Sequence, residues 1–291
     1  MADSHSSKQA INAETSLYGV FGNPVRHSLS PIMHNAAFAR FGMNSRYLAF
    51  EIQENSLGLA FEGIRSLGIR GVNLTIPFKE TALEFIDEVP EDVDRVTEAI
   101  NTVVNKKGQL IGYNTDGPGF LTALKEELRF SPGGKNILVL GAGGASRGIV
   151  FALARAGAGR VFIHNRTREW AEGLTEFAAP HFPETEIEPV ISLDELRLQK
   201  IDLVVNATPC GMKGNLEIPF DLKLLKKEAS VYDLVYSPAE TPFLKSAKAL
   251  GYPAANGLGM LSAQAALSFE LWTGKKEGIR EVMREALKSW N

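Results

Sequence analysis

At 291 residues the chain is long for a single hydrophobic core, so two domains are expected. Its 31 basic and 34 acidic residues leave a formal net charge of −3 with no long basic block, which excludes a nucleic-acid surface and favours a small-molecule partner. No apolar run reaches the roughly 18 to 20 residues of a membrane span, and residues 1–16 read as a loose polar extension without the apolar core of a signal peptide. The lone cysteine, Cys210, rules out an intramolecular disulfide and reads as a small loop filler. No metal site is expected, because the five histidines show no ligand spacing with it. A reducing cytoplasm fits this usage.

Along the chain, strand-like runs alternate with helical patterns, which predicts a parallel or mostly parallel α/β architecture. In the first half LYGVFG, RYLAFEI and GVNLTI read as strands, separated by helical stretches over residues 31–41 and 55–67. The Ser30-Pro31 pair suits an N-cap followed by proline at the first helical position. VVNKKGQLIGYN reads as a hairpin turning at Lys107-Gly108, and residues 116–128 as a helix leaving through SPGGK. The second half continues with the strands ILVL, RVFIH, IDLVVNAT and ASVYDLVY and ends in helices over residues 261–272 and 277–288. The expected division is an N-terminal α/β substrate domain over residues 1–115 and a Rossmann-type doubly wound dinucleotide-binding domain over 116–260. The helices of 261–291 would pack back on the first.

ILVLGAGGA followed by SRGIVFALARAG is a buried strand breaking into a glycine turn and then a helix. That order suits pyrophosphate, which needs unpaired N–H groups at a helix N-terminus. Gly141 would make the tight turn, Gly143 would let the main chain approach the phosphates, and the small Ser146 fills the third fingerprint position. A bare match suits a purely structural turn equally well; the flanking strand, helix and second strand favour a dinucleotide. Where an NAD site would carry an acid for the ribose, the chain has Asn165, Arg166 and Thr167, then Arg168. Cations and a hydroxyl there favour the 2′-phosphate of NADP, the alternative being solvated surface arginines.

In the first half, GNPVRHSLSP places the hydroxyls of Ser28 and Ser30 in a strand-to-helix turn able to hold a carboxylate, the alternative being ordinary capping. NLTIPFK puts Thr75 and Lys79 just past a strand end. A cation in a first helical turn opposes the helix dipole, which hints that Lys79 serves a ligand rather than the fold. INTVVN and GYNTDG add Asn101, Asn114, Thr115 and Asp116 at loop edges. An ionised Asp beside a Lys is an arrangement for proton transfer.

From GNPVRHSLSP through NLTIPFKE, AINTV, YNTDG, GAGGASRG, NRT, NATPCGM and VYDLVYSPAETPFL to NGLGMLSAQAA, the chain resembles the NADP-dependent shikimate dehydrogenase family over residues 17–270. The resemblance implies an oxidoreductase acting on a CH–OH group, reducing 3-dehydroshikimate to shikimate on the route to chorismate and the aromatic amino acids. It implies that Ser28, Ser30, Thr75, Asn101, Asp116, Tyr236 and Gln264 bind substrate and that Lys79 handles the proton. It also implies that Gly141, Ala142, Gly143, Gly144, Ala145, Ser146, Asn165, Arg166, Thr167, Leu234 and Gly257 surround NADP. Three positions depart from the family pattern. Trp170 stands where a further basic residue is common, Pro209-Cys210 alters a loop beside the cofactor, and Glu98 replaces a common glycine.

Two other readings share these residues. A quinate or dual quinate and shikimate dehydrogenase would use the same fold with NAD or NADP. Quinate carries one more hydroxyl on the carbon bearing the carboxylate, and the hydroxymethyl groups of Ser28 and Ser30 lean toward the slimmer substrate. A noncatalytic NADP-binding regulator would have no need of both Lys79 and Asp116. The chain is expected to act as a monomer or homodimer.

Overall fold

The computed structural model describes residues 11–90, 97–193, 196, 198–212, 215, 217 and 220–289, so residues 1–10 of the expected N-terminal extension lie outside it. The described residues form two units. One draws on the chain up to Thr115 and from Ala265 onward; the other is Asp116–Gln264.

The first unit is built on a five-stranded sheet in the order β2-β1-β3-β4-β5. Its strands are β1 (Ser16–Gly22), β2 (Ser45–Glu51), β3 (Gly71–Leu74), β4 (Thr102–Lys106) and β5 (Gln109–Tyr113). β1 runs parallel to β2 and β3, whereas β4 and β5 are antiparallel. The hairpin imposes that reversal. Lys107 and Gly108 hold φ of 57° and 97°, the positive values a two-residue turn needs to follow the strand twist. Helices α1 (Ser30–Arg40), α2 (Leu57–Ser66) and α3 (Phe78–Thr81) belong to this unit. On one side, Phe21, Phe61, Ile64, Val72, Phe78 and Val103 form a buried cluster, each large side chain contributing about 1.5 to 3 kcal/mol by leaving water.

The second unit holds a six-stranded, wholly parallel sheet in the order β11-β10-β9-β6-β7-β8. Here β6 is Asn136–Leu140, β7 Arg160–His164, β8 Glu186–Val190, β9 Leu203–Asn206, β10 Ser230–Asp233 and β11 Ala254–Asn256. The chain runs outward from β6 in one direction through β7 and β8, then returns to β9 and runs outward in the other. This is the doubly wound order, with its reversal point at the C-terminal end of β6. The unit's helices are α4 (Asp116–Leu128), α5 (Gly144–Arg155), α6 (Arg168–Ala178), α7 (Pro242–Ala249) and the start of α8 (Leu258–Thr273). Gly117 brings α4 against Ala152 of α5, where a Cβ would stand 3.2 Å from the alanine methyl.

The end of α8 and α9 (Ile279–Lys288) are counted with the first unit, and α9 packs on α1. Trp272 anchors this part of the chain: its indole N–H donates to the carbonyl of Val103 at 2.9 Å. Gly71 admits the ring, since any Cβ there would overlap it. Among the described residues, no helix is long and apolar enough to cross a membrane.

Candidate active site

The polar residues singled out in the first half gather at one edge of the first sheet. The C-terminal ends of β1 and β3, the start of β4 and the end of β5 all meet there, because β4 and β5 reverse direction. Backbone hydrogen bonds tie β1 to β3 here: Thr75 N–H donates to Phe21 O at 2.9 Å and Asn23 N–H to Ile76 O at 3.0 Å. Gly22 leaves the space that the Thr75 methyl occupies. Ile100 N–H donates to Lys79 O at 2.8 Å, and Leu74 N–H to Asn101 O at 2.9 Å, so Lys79 and Asn101 are held to the same corner.

The capping expected of Ser30 is not what the chain does. Leu29 occupies the N-cap position, no side chain caps the helix, and Ser30 is the first residue of α1. It is Ser28 whose Oγ accepts from the Ser30 N–H, at 3.3 Å. Ser30 cannot cap because its backbone is already helical, and the residue is buried. The dipole argument for Lys79 also weakens. α3 is a single turn of four residues, continued by a 3-10 turn over Ala82–Phe85, and so short a helix sums to little macrodipole.

Behind this edge lies a buried polar network that sequence reading did not find. Tyr47 O–H donates to Asn73 Oδ1 at 2.8 Å. The Asn73 amide nitrogen donates to Asn101 O at 3.1 Å, Thr102 Oγ1 at 3.1 Å and Ser268 Oγ at 3.0 Å. Asn101 in turn accepts the Thr115 N–H on its Oδ1 at 2.8 Å and donates through Nδ2 to Thr115 Oγ1 at 2.9 Å. Asn114 Nδ2 donates to Ala99 O at 3.0 Å. Just before it, Glu98 holds φ of 46°, a left-handed conformation that glycine adopts more freely.

In the second unit the C-terminal ends of the strands again form one edge. Gly141 N–H donates to His164 O at 2.7 Å, Ala207 N–H to Leu140 O at 2.8 Å, and Leu234 N–H to Asn206 O at 2.9 Å. Gly141 has φ of 108°, which only glycine adopts freely, and a Cβ there would stand 3.1 Å from Ala207. Gly143 precedes α5 with no side-chain cap on the helix, and nothing lies within 4 Å of where its Cβ would be. Gly144 and Ala145 are exposed and Ala142 half-buried, while the Ser146 hydroxyl is buried without a hydrogen-bond partner. An open glycine, an uncapped twelve-residue helix start and an orphaned hydroxyl suit a phosphate.

Beside them, past β7, Asn165 Nδ2 closes a turn onto Thr167 O at 2.8 Å. Thr167 is the N-cap of α6 but makes no side-chain cap, and Arg166 is exposed. Arg168 is ion-paired along the helix with Glu172 at 2.7 Å, so Arg166 is the better placed of the two cations for a 2′-phosphate. Trp170, in the first turn of α6, is 61% exposed.

At the other end of this edge, Gly257 packs on Leu234 so closely that any Cβ would overlap the Leu234 carbonyl. Tyr236 lies beyond the end of β10, where burial pushes its phenol up from the ordinary tyrosine value. Gln264, on α8, donates to Leu261 O at 3.1 Å and backs onto Gly119 of α4. Asp116 is the first residue of α4, an acid where the helix dipole favours one. The edge is braced by Asp233, which sequence reading passed over. Fully buried, its carboxylate accepts from Asn206 Nδ2 at 2.9 Å, Val235 N–H at 3.1 Å and Thr241 Oγ1 at 2.6 Å. Burial raises its pKa against those bonds. Asn206 also donates to Cys210 O at 3.1 Å and accepts from Thr208 N–H at 3.1 Å, so the loop carrying Pro209-Cys210 is held from its base whatever fills its tip.

Comparison with known proteins places this arrangement. Residues 20–103 match the shikimate dehydrogenase substrate binding domain, residues 124–211 the shikimate / quinate 5-dehydrogenase family, and residues 257–288 the shikimate 5′-dehydrogenase C-terminal domain. The shikimate dehydrogenase (NADP+) of Geobacillus kaustophilus is 44% identical over 280 residues, covering 94% of this chain and 99% of its own. A shikimate dehydrogenase crystallised with NADP+ superposes with a TM-score of 0.89 at 41% identity over 97% of both chains. The Thermus thermophilus enzyme in complex with NADP(H) and shikimate does so with a TM-score of 0.81 at 39% identity, covering 93% of this chain and 99% of that one. With near-complete coverage at such identity, the chain belongs to the shikimate dehydrogenase family.

Proposed function

We propose that the protein catalyses the reversible, NADPH-dependent reduction of 3-dehydroshikimate to shikimate, a step toward chorismate and the aromatic amino acids. The observation that carries this reading is the match, over 99% of its length, to a relative named shikimate dehydrogenase (NADP+). The site chemistry is consistent with it. NADPH, when bound, supplies a hydride to the ring carbonyl carbon. Lys79 meets the reacting oxygen, whose negative charge grows as the carbonyl is reduced; its ammonium stabilises that charge and gives up a proton to it. Asp116 orients Lys79 and a substrate hydroxyl, and Asn101, held by Thr115, offers its amide to the ring. Ser28 and Ser30 receive the carboxylate, with Thr75, Tyr236 and Gln264 completing the contacts.

For the cofactor, the N-terminus of α5 with Gly141, Ala142, Gly143, Gly144, Ala145 and Ser146 takes the pyrophosphate. Asn165, Arg166 and Thr167, with Arg168 nearby, take the adenosine 2′-phosphate, and Leu234 and Gly257 line the remainder. The enzyme acts in the cytoplasm, as its lone cysteine suits, and as a monomer or homodimer, which its mass by light scattering tests.

A second reading, quinate oxidation, is favoured by the family description that spans residues 124–211. One assay separates the two: absorbance at the reduced-nicotinamide band with shikimate or quinate, each with NADP+ or NAD+. The highest kcat/KM is expected for shikimate with NADP+. A higher value for quinate with NAD+ would overturn the proposal, and no turnover with NADP+ tightly bound would point to a noncatalytic regulator.

A further inference from the structure

The buried network of the first unit has a direction, and that direction singles out Tyr47. Asn73 cannot be flipped: its amide nitrogen lies 3.1 Å from the main-chain oxygen of Asn101, which only accepts. Its Oδ1 therefore faces Tyr47, and the phenol must be the donor in their 2.8 Å bond. The chain then runs one way, from Tyr47 O–H to Asn73, and from the two protons of the Asn73 amide to the acceptors shared around it, Asn101 O, Thr102 Oγ1 and Ser268 Oγ. Tyr47, Asn73, Asn101, Thr102 and Ser268 are all buried.

We infer that Tyr47 is a positioning residue, whose phenol fixes the amide corner that presents Asn101. This rests on the proposed function, in which Asn101 meets the ring of the substrate. The ring itself is well placed for this. It sits on β2, in register with Tyr18 of β1, and stacks on His34 at 4.3 Å with 12° between planes. Its orientation is set by packing, so the hydroxyl has little freedom.

Tyr47→Phe removes the oxygen and keeps the ring. Shikimate KM is expected to rise roughly tenfold, the scale of one hydrogen bond in a buried setting, with kcat changed less and the NADP+ Kd, read by calorimetry, unchanged. A general loosening of the fold would move both ligands. Because the phenol acts through Asn73 on Asn101, its loss should cost less in an Asn101→Ala background than in wild type. Unchanged shikimate KM, or full additivity with Asn101→Ala, would overturn the assignment. If Tyr47→Phe does not fold, Ser268→Ala withdraws an acceptor from the same Asn73 amide and should give a smaller rise in shikimate KM alone; no rise would count against the proposal. The wild-type arm separates the two levels of the argument. If wild type does not turn over shikimate, the functional reading falls, and a crystal structure of Tyr47→Phe still decides: the Asn73 amide and the Asn101 side chain in their original places would overturn the positioning role.

Discussion

The imidazole of His34 lies face to face with the phenol ring of Tyr47, 4.3 Å between centroids, with the rings of Trp272 and Phe269 at 5.1 Å and 6.2 Å. Both ring nitrogens are buried without a hydrogen-bond partner, and burial pushes the pKa of His34 down from 6.5 to about 3. Between those values the unfolded chain binds a proton that the folded protein refuses, so stability is complete above pH 6.5 and is lost as pH falls toward 3. His34→Phe keeps an aromatic face and removes the titration. At pH 5 the wild type should have lost about 2 kcal/mol more than the variant, relative to neutral pH. Urea unfolding at the two pH values checks this; parallel losses would show that His34 does not govern the acid limb.

Ser28, rather than Ser30, closes the turn before α1, and it does so as an acceptor, leaving its own proton for a ligand. Ser28→Ala should therefore raise shikimate KM while leaving NADP+ binding intact. Removing this turn-closing acceptor should also cost about 0.5 to 1.5 kcal/mol in stability, the net worth of one hydrogen bond. Thermal unfolding together with shikimate titration tests both halves, and an unchanged KM would remove Ser28 from the carboxylate site.

How far the sequence alone could reach is clear from particular residues. The glycine turn at Gly141 and the hairpin at Lys107-Gly108 were legible because local backbone conformation demands those residues, and both hold positive φ. β8 and β11 were not: EIEPV carries a proline, and AAN has three residues with no alternation to read. The strand RYLAFEI was legible, but the role of its tyrosine was not, since Ser268 stands 195 positions from the Asn73 that joins them. Asp233 was hidden for a similar reason. Its partners, Asn206 and Thr241, come from a neighbouring strand and a later helix cap. Side-chain hydrogen bonds across the fold leave no periodic trace in a single chain.

Arg166 stands exposed beside the uncapped start of α6, whereas Arg168 is engaged by Glu172. The two should not be equivalent. Arg166→Ala is expected to weaken NADP+ about ten- to a hundredfold, the worth of a charged hydrogen bond to phosphate, and to leave NAD+ affinity nearly unchanged. Arg168→Ala should do much less. Equal effects of the two substitutions on NADP+ affinity by calorimetry would reject this division of labour.

Lys79 sits on a single-turn helix held to Ile100 through its own carbonyl, and Asp116 opens α4; both residues are half-buried rather than part of a core. If they serve one proton transfer, Lys79→Ala should lose most turnover, about a hundred- to ten-thousandfold, with NADP+ affinity and melting temperature close to wild type. Asp116→Ala should lower turnover and raise shikimate KM, because it orients a substrate hydroxyl as well as the lysine. Groups that share one task do not lose their effects additively, since once one is gone the other has little left to contribute. The double variant should accordingly be little worse than the worse single one. Stopped-flow and steady-state turnover on the three variants decide the point. Near-normal turnover of Lys79→Ala would remove it from the chemistry, and fully additive losses would show two independent roles.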